Sequence, residues 1–276
     1  MFENIDFGIY LKLNSIFYQE GDCGMRKSNS INMIMAAIVA MGVCGTLMAS
    51  QTTDKIESSA KKSYVFKTYL KGDNIKVHAL SDSVVSLTGI VSEWSHRSLA
   101  EETVAGLPGV LRVENKLEVK GEQWPENSDA WIGIKVKTTL MFHRNVSGVN
   151  TDVKVKDGVV SLSGIASSEA QKELTTEYVK DIEGVQSVKN DIFVKKEGKT
   201  TVEKVGDYVD DASITAQVKL ALLFHHSTNV IKTKVETKDG IVTVSGVAKN
   251  GAERDLVSKL VSDIKGVKEV KNDITI

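Results

Sequence analysis

One phrase recurs along this 276-residue chain and limits what it can fold into. Asp157-Gly158-Val159-Val160-Ser161-Leu162-Ser163-Gly164 returns as Asp239-Gly240-Ile241-Val242-Thr243-Val244-Ser245-Gly246, and a worn copy runs from Ser81 to Gly89. A second phrase follows each copy: Gly109-Val110-Leu111-Arg112-Val113-Glu114-Asn115, Gly184-Val185-Gln186-Ser187-Val188-Lys189-Asn190 and Gly266-Val267-Lys268-Glu269-Val270-Lys271-Asn272. The chain is a triplet. Its copies stand about 75 and about 82 residues apart, too long for solenoid units and long enough for small domains.

The second copy shows the periodicities best. Asp129 is placed to cap a helix whose Ile132, Val136 and Leu140 fall at i, i+4 and i+8, one helical face. The period then changes to two. Val153 and Val155 alternate with Lys154 and Lys156, Asp157-Gly158 signals a tight hairpin, and Val160 and Leu162 alternate with Ser161 and Ser163. One face of this hairpin is apolar, so the sheet is expected to be covered on one side. A second helix is expected from Ser168 to Ile182, with Ala170, Leu174, Tyr178 or Val179 and Ile182 inward and Gly184 ending it. A last strand sets Val188, Ile192 and Val194 against Lys189, Asp191 and Phe193. The fold class is therefore α+β: three tandem α-β-β-α-β repeats, each a small sheet with two helices on one face.

The third copy repeats this with Ile214, Val218 and Leu222, then Val235, Val242 and Val244, then Leu256, Leu260 and Ile264. The first is less regular: its leading helix is expected from about Ile56 to Leu70. Its turn lacks the glycine, and Ile75, Val77 and Ala79 run one residue out of step, which points to a bulge or a longer turn. The repeats are bounded as 54–120, 128–196 and 210–276, with the first expected to be the least stable. Gly121 to Asn127 and Glu197 to Asp207 are linkers short enough for neighbouring repeats to touch.

The N-terminus reads as an export signal. Met25-Arg26-Lys27 is a basic start, Ile31 to Val43 an apolar run, and Leu47-Met48-Ala49-Ser50 supplies small residues for cleavage near Ala49. Residues 25–49 are thus expected to be a signal peptide and 1–24 an extension before the true start at Met25. The apolar run is shorter than the ~20 residues that span a bilayer comfortably, which argues against a retained anchor. Cys23 and Cys44 are the two cysteines, and neither would remain in the mature chain. Met41-Gly42-Val43 matches a lipobox poorly, so a soluble periplasmic product is expected, with a lipoprotein through Cys44 as the alternative.

Several kinds of chemistry are excluded. The net charge of −1 gives no basic footprint for nucleic acid. Gly89, Gly164 and Gly246 follow strands, but no phosphate-loop motif accompanies them; with Gly158, Gly184, Gly240 and Gly266 they read as turn geometry, as Gly109 does. His143 and His225 end the first helices of their copies and read as surface residues suited to the helix dipole. Adjacent His225 and His226 diverge, and no recurring acid or cysteine stands at metal-ligand spacing, so no metal and no cofactor is expected. Neither paired carboxylates nor G-x-S-x-G suggest an enzyme.

The first helices carry one surplus feature. Opposite the core stripe of copy two lie Trp131, Ile134 and Met141, with Phe142 at the edge; copy three has Ala216, Leu220, Leu223 and Phe224 there, and Ser213 in place of Trp131. A helix covering one sheet does not need a second apolar face. Two uses compete: packing of repeat on repeat, or membrane contact in which Trp131 and Ile134 enter the interface while Lys135 and Lys137 meet headgroups.

The order D-x-x-I-x-x-x-V-K-x-x-L, D-G-V-V-S-L-S-G, G-V-x-x-V-K-N-D resembles the BON domain, over nearly all of copies two and three and less closely in copy one. The resemblance implies residence in the bacterial envelope, a non-enzymatic role in osmotic or envelope stress, and binding to anionic phospholipid or envelope proteins. The candidate docking residues are Trp131, Ile134, Lys135, Lys137, Met141, Leu220, Leu223 and Phe224. The other reading is a chaperone-like module that holds protein partners on the same apolar faces.

Overall fold

A computed structural model describes residues 53–80, 83–121, 125, 128–146, 151–195, 208–228 and 233–276. The expected extension and signal peptide (1–49), both cysteines and the linker Glu197 to Asp207 lie outside them. Repeat 1 comprises α1 (53–62), α2 (Tyr64–Thr68), β1 (Asn74–Ala79), β2 (Val84–Val91), α3 (Trp94–Ala105) and β3 (Arg112–Val119). Repeat 2 comprises α4 (Asp129–Phe142), β4 (Thr151–Lys156), β5 (Val159–Ala166), α5 (Glu169–Lys180) and β6 (Ser187–Val194). Repeat 3 follows with α6 (Asp211–Phe224), β7 (Lys234–Lys238), β8 (Ile241–Val247), α7 (Gly251–Ser262) and β9 (Glu269–Thr275).

In each sheet the hairpin is antiparallel and the last strand runs parallel to the middle one, giving the orders β1-β2-β3, β4-β5-β6 and β7-β8-β9. The middle strands alternate as the sequence predicts. Val160 and Leu162 are fully buried, as are Val85 and Leu87 in repeat 1 and Val242 and Val244 in repeat 3. The second helix is shorter than expected, and Ala170 at its start is exposed while Thr175 and Val179 form its buried stripe.

The recurring phrases belong together for a physical reason. Asp157 and Gly158 both hold positive φ, 52° and 75°, as a two-residue type I′ turn requires. Their amides donate to the carboxylate of Asp129 at 2.7 and 2.9 Å. Asp211 receives Asp239 and Gly240 in the same way, at 2.7 and 2.8 Å. Asp129 is therefore not the cap; Ser128 is, with its side chain accepting from Trp131 N–H, which frees the aspartate one residue later to reach the hairpin.

Repeat 1 departs in two places. Its leading helix breaks at buried Ser63, whose hydroxyl donates to the Ala60 carbonyl at 2.8 Å and accepts from Phe66 N–H. Its hairpin closes at Leu80 N–H to the Val84 carbonyl (2.7 Å), so the turn is longer by one residue and restores the register of Val77 and Ala79.

Candidate docking surface

The repeats pack on one another through the helix faces that the sheets leave free. Eleven of the fourteen residues of α6 are buried, against seven of fourteen in α4. The difference is repeat 1, whose α3 lies along α6. Gly106 at the end of α3 approaches so closely that a Cβ there would sit 3.2 Å from the Ala212 Cα. Lys219 pairs with Glu102 at 2.6 Å. Beside Ala212, Asp210 accepts from Tyr64 N–H (2.7 Å) and Ser213 from Val65 N–H (3.1 Å), so α2 is pinned to the start of α6.

Repeats 2 and 3 meet reciprocally, helix end to helix end. Lys265 N–H donates to the Phe142 carbonyl and Arg144 N–H to that of Asp263; in mirror fashion Glu183 N–H donates to Phe224 and His226 N–H to Asp181. Isolated bridges pair His143 with Ile264 and Ile182 with His225. His143 and His225 cap their helices as expected, yet both side chains are fully buried rather than at the surface. A neighbouring repeat supplies the cover, and periodicity within one repeat cannot register it.

The structure divides the candidate residues. Lys135 is buried, pairs with Glu183 at 3.0 Å and lies 5.9 Å from the Trp131 ring centre. Leu220 and Phe224 are buried between repeats. Trp131 is half-buried against Trp94 of α3, ring centres 4.8 Å apart, and Phe224 lies 6.1 Å from that same Trp94. Sequence reasoning missed Trp94, which opens the second helix of the least regular copy. It also missed Tyr69, which packs on Phe142 (5.4 Å) and whose phenol burial pushes far above its ordinary pKa.

What remains open on α4 is a stripe of half-buried Ala130, Ile134 and Met141 with exposed Lys137, at i, i+4, i+11 and i+7. The matching positions of α6 are Ala212 and Ala216, both buried, Lys219 in its ion pair, and Leu223, 48% exposed. No helix among the described residues is long and apolar enough to cross a membrane, and no group of three or more metal-ligating side chains comes together among them.

Three α-β-β-α-β repeats packed helix on helix make this a tandem-repeat α+β protein with a helical outer stripe as its open surface. The chain belongs to the BON domain family: the family model, "BON domain", matches residues 52–121, 128–196 and 210–276. It is 36% identical over 148 residues to osmotically-inducible protein Y of Escherichia coli (strain K12), covering 53% of this chain and 71% of that one. A protein of Anaplasma centrale, described as an uncharacterized protein in the gshII 5' region, is 32% identical over 143 residues, 51% of this chain and 90% of its own. Among solved structures, the C-terminal domain of the type III secretion protein CdsD of Chlamydia trachomatis aligns over 80% of this chain and 94% of its own, at 14% identity and a TM-score of 0.21. The PrgH periplasmic domain aligns over 75% and 97%, at 11% identity and 0.19. Similarities this low bear on neither fold nor function.

Proposed function

We propose that this protein is exported by its segment 25–49 and binds anionic phospholipid surfaces of the cell envelope through the outer stripe of α4, as a binding module rather than a catalyst. The observation that carries the reading is the stripe itself: exposed Lys137 with half-buried Ala130 and Ile134 stays partly open, whereas the matching Ala212, Ala216 and Lys219 of α6 are buried or ion-paired. An apolar helical stripe with a lysine at its edge suits the headgroup region, where the lysine contributes at most about 1 kcal/mol and apolar insertion supplies the rest. Trp131 flanks the stripe, although its ring is shared with Trp94. Family membership and the relative named for osmotic induction support a role in osmotic or envelope stress.

A second reading, docking of a partner protein, is favoured by Ile165 and Phe193. They are neighbours in register on the open sheet face of repeat 2 and are 53% and 68% exposed.

The test is co-sedimentation of the chain from about Ser50 with anionic and neutral vesicles at low and high salt. Lys137→Glu and Ile134→Ser are the variants of choice because both belong to the stripe and leave the Trp94 and Trp131 rings in place. Binding to anionic vesicles that weakens with salt and drops about fivefold or more in either variant is the expected result. Equal binding to both vesicle types, or none to either, rules the reading out and turns the search to protein partners.

A further inference from the structure

The joint between repeats 2 and 3 is built around two imidazoles that the docking reading leaves unused. The side chains of His143 and His225, at the ends of α4 and α6, have no exposed surface. Their rings meet edge to face with centres 5.8 Å apart, and Tyr178 of α5 stacks on His143 at 4.0 Å. From the end of α7, Asp263 Oδ2 lies 3.3 Å from His143 Nδ1, and the same carboxylate accepts from the Tyr178 phenol and the Asn145 amide. From the end of α5, Asp181 Oδ2 lies 3.1 Å from His225 Nδ1, and its other oxygen accepts from Ser227. The guanidinium of Arg144 turns away to the carbonyls of Ile264 and Val267, and Glu183 is taken up by Lys135.

Within this ring of groups, both nitrogens of His143 and Nε2 of His225 are buried with no hydrogen-bond partner. A neutral imidazole tolerates that at modest cost. An imidazolium must present two N–H donors, and here the second one would have no acceptor among the described residues. Two such charges with ring centres 5.8 Å apart would also repel. At His143, Asp263 and the carbonyl end of α4 pull the other way, but burial of the ring, the donor left unpaired and the neighbouring imidazole outweigh them.

We propose that this joint is a proton-gated contact: neutral His143, packed edge to face on His225, holds repeats 2 and 3 together, and its protonation in mild acid parts the two repeats while each keeps its own fold. Burial, helped by the neighbouring His225, holds His143 below the ordinary imidazole pKa despite the opposing pull of Asp263. The parted state therefore binds more protons than the closed one. The joint has its full stability above about pH 6.5 and loses it as the pH falls below that value. Asp181 does not drive the response: burial pushes its carboxyl up, but hydrogen bonds from His225 and Ser227 outweigh that and hold it below its usual range, so it stays charged throughout this window. A cavity of about 750 Å³ lined by Arg144, Tyr178, Asp181, His225 and Asp263 adjoins the joint and gives protons and water a way in.

The experiment is hydrogen exchange on the whole chain at pH 7.5, 6.5 and 5.5, corrected for the intrinsic pH dependence. The amides of Arg144, Glu183, His226 and Lys265 bond across the joint. They are expected to lose protection about tenfold or more between pH 7.5 and 5.5, while the β5 and β8 amides keep theirs. With His143→Phe and His225→Phe together, the change is expected to shrink below about twofold. A flat wild-type response, or a double variant that responds as strongly as the wild type, overturns the proposal. Should the variant not fold, NMR titration of both imidazoles in the wild type decides it. Opening that tracks the protonation of His143 upholds the proposal, and its protonation with the four amides still protected overturns it.

Discussion

Asn190 shows what a recurring residue is for. Its amide donates to the Lys172 carbonyl (2.9 Å) and to Thr176 Oγ1 (2.6 Å), and its carbonyl oxygen accepts from Ile192 N–H (3.0 Å), so one side chain ties α5 to β6. Asn115 and Asn272 do the same for α3 and α7. Asn190→Ala removes all three bonds in a half-buried place and is expected to cost about 2–3 kcal/mol, read as a lower urea midpoint with unchanged slope. Asp211→Ala strips the hairpin turn of its acceptor and is expected to cost about 1–3 kcal/mol by the same measurement. At Gly89, φ is 122° and a Cβ would lie 1.9 Å from the Asn74 carbonyl oxygen, so the glycine is required by the neighbouring strand. The sequence places Gly89, Gly164 and Gly246 at turns after their strands, but each lies inside its middle strand, paired in register with the last strand, so backbone approach within the sheet and not a turn sets the need for glycine. The partnership of the motif aspartate with the turn was not legible, because the two stand 28 residues apart and only folding brings them together.

At the scale of elements, the first helices were read as apolar on two faces, and periodicity sufficed for that. Which second face would be covered depended on repeat 1, the copy with the least regular pattern. Its α3 lies on α6 and leaves the outer stripe of α4 open, although the two helices are alike in sequence pattern. Trp94 is the hinge of this asymmetry, in contact with Trp131 on one side and Phe224 on the other. Trp94→Ala is expected to loosen repeat 1 from the other two at a cost of about 2–4 kcal/mol. With Trp124→Phe in both proteins, so that Trp131 is the one tryptophan left in the variant, the loss would be seen as a red-shifted Trp131 emission and an earlier thermal transition. An unshifted Trp131 spectrum would show that the tryptophan pair does not hold repeat 1 in place.

For the whole molecule, four backbone hydrogen bonds among the described residues cross between repeats 2 and 3 beside two buried imidazoles, so the two are expected to unfold as one unit at pH 7.5. Amides of β5 and β8 should lose protection at the same urea concentration, and separate midpoints would contradict this. By itself the sequence determined the three repeats, the α-β-β-α-β order, the one-sided sheets and the inward residues of each strand, because these follow from local period, turn chemistry and caps. Only the tertiary structure decided which helix faces stay open, that Lys135, Leu220 and Phe224 are sealed between repeats, and that His143 and His225 are buried. The physical reason is that burial between repeats is set by what another part of the chain brings to a surface, and a periodic pattern records only that the surface is apolar.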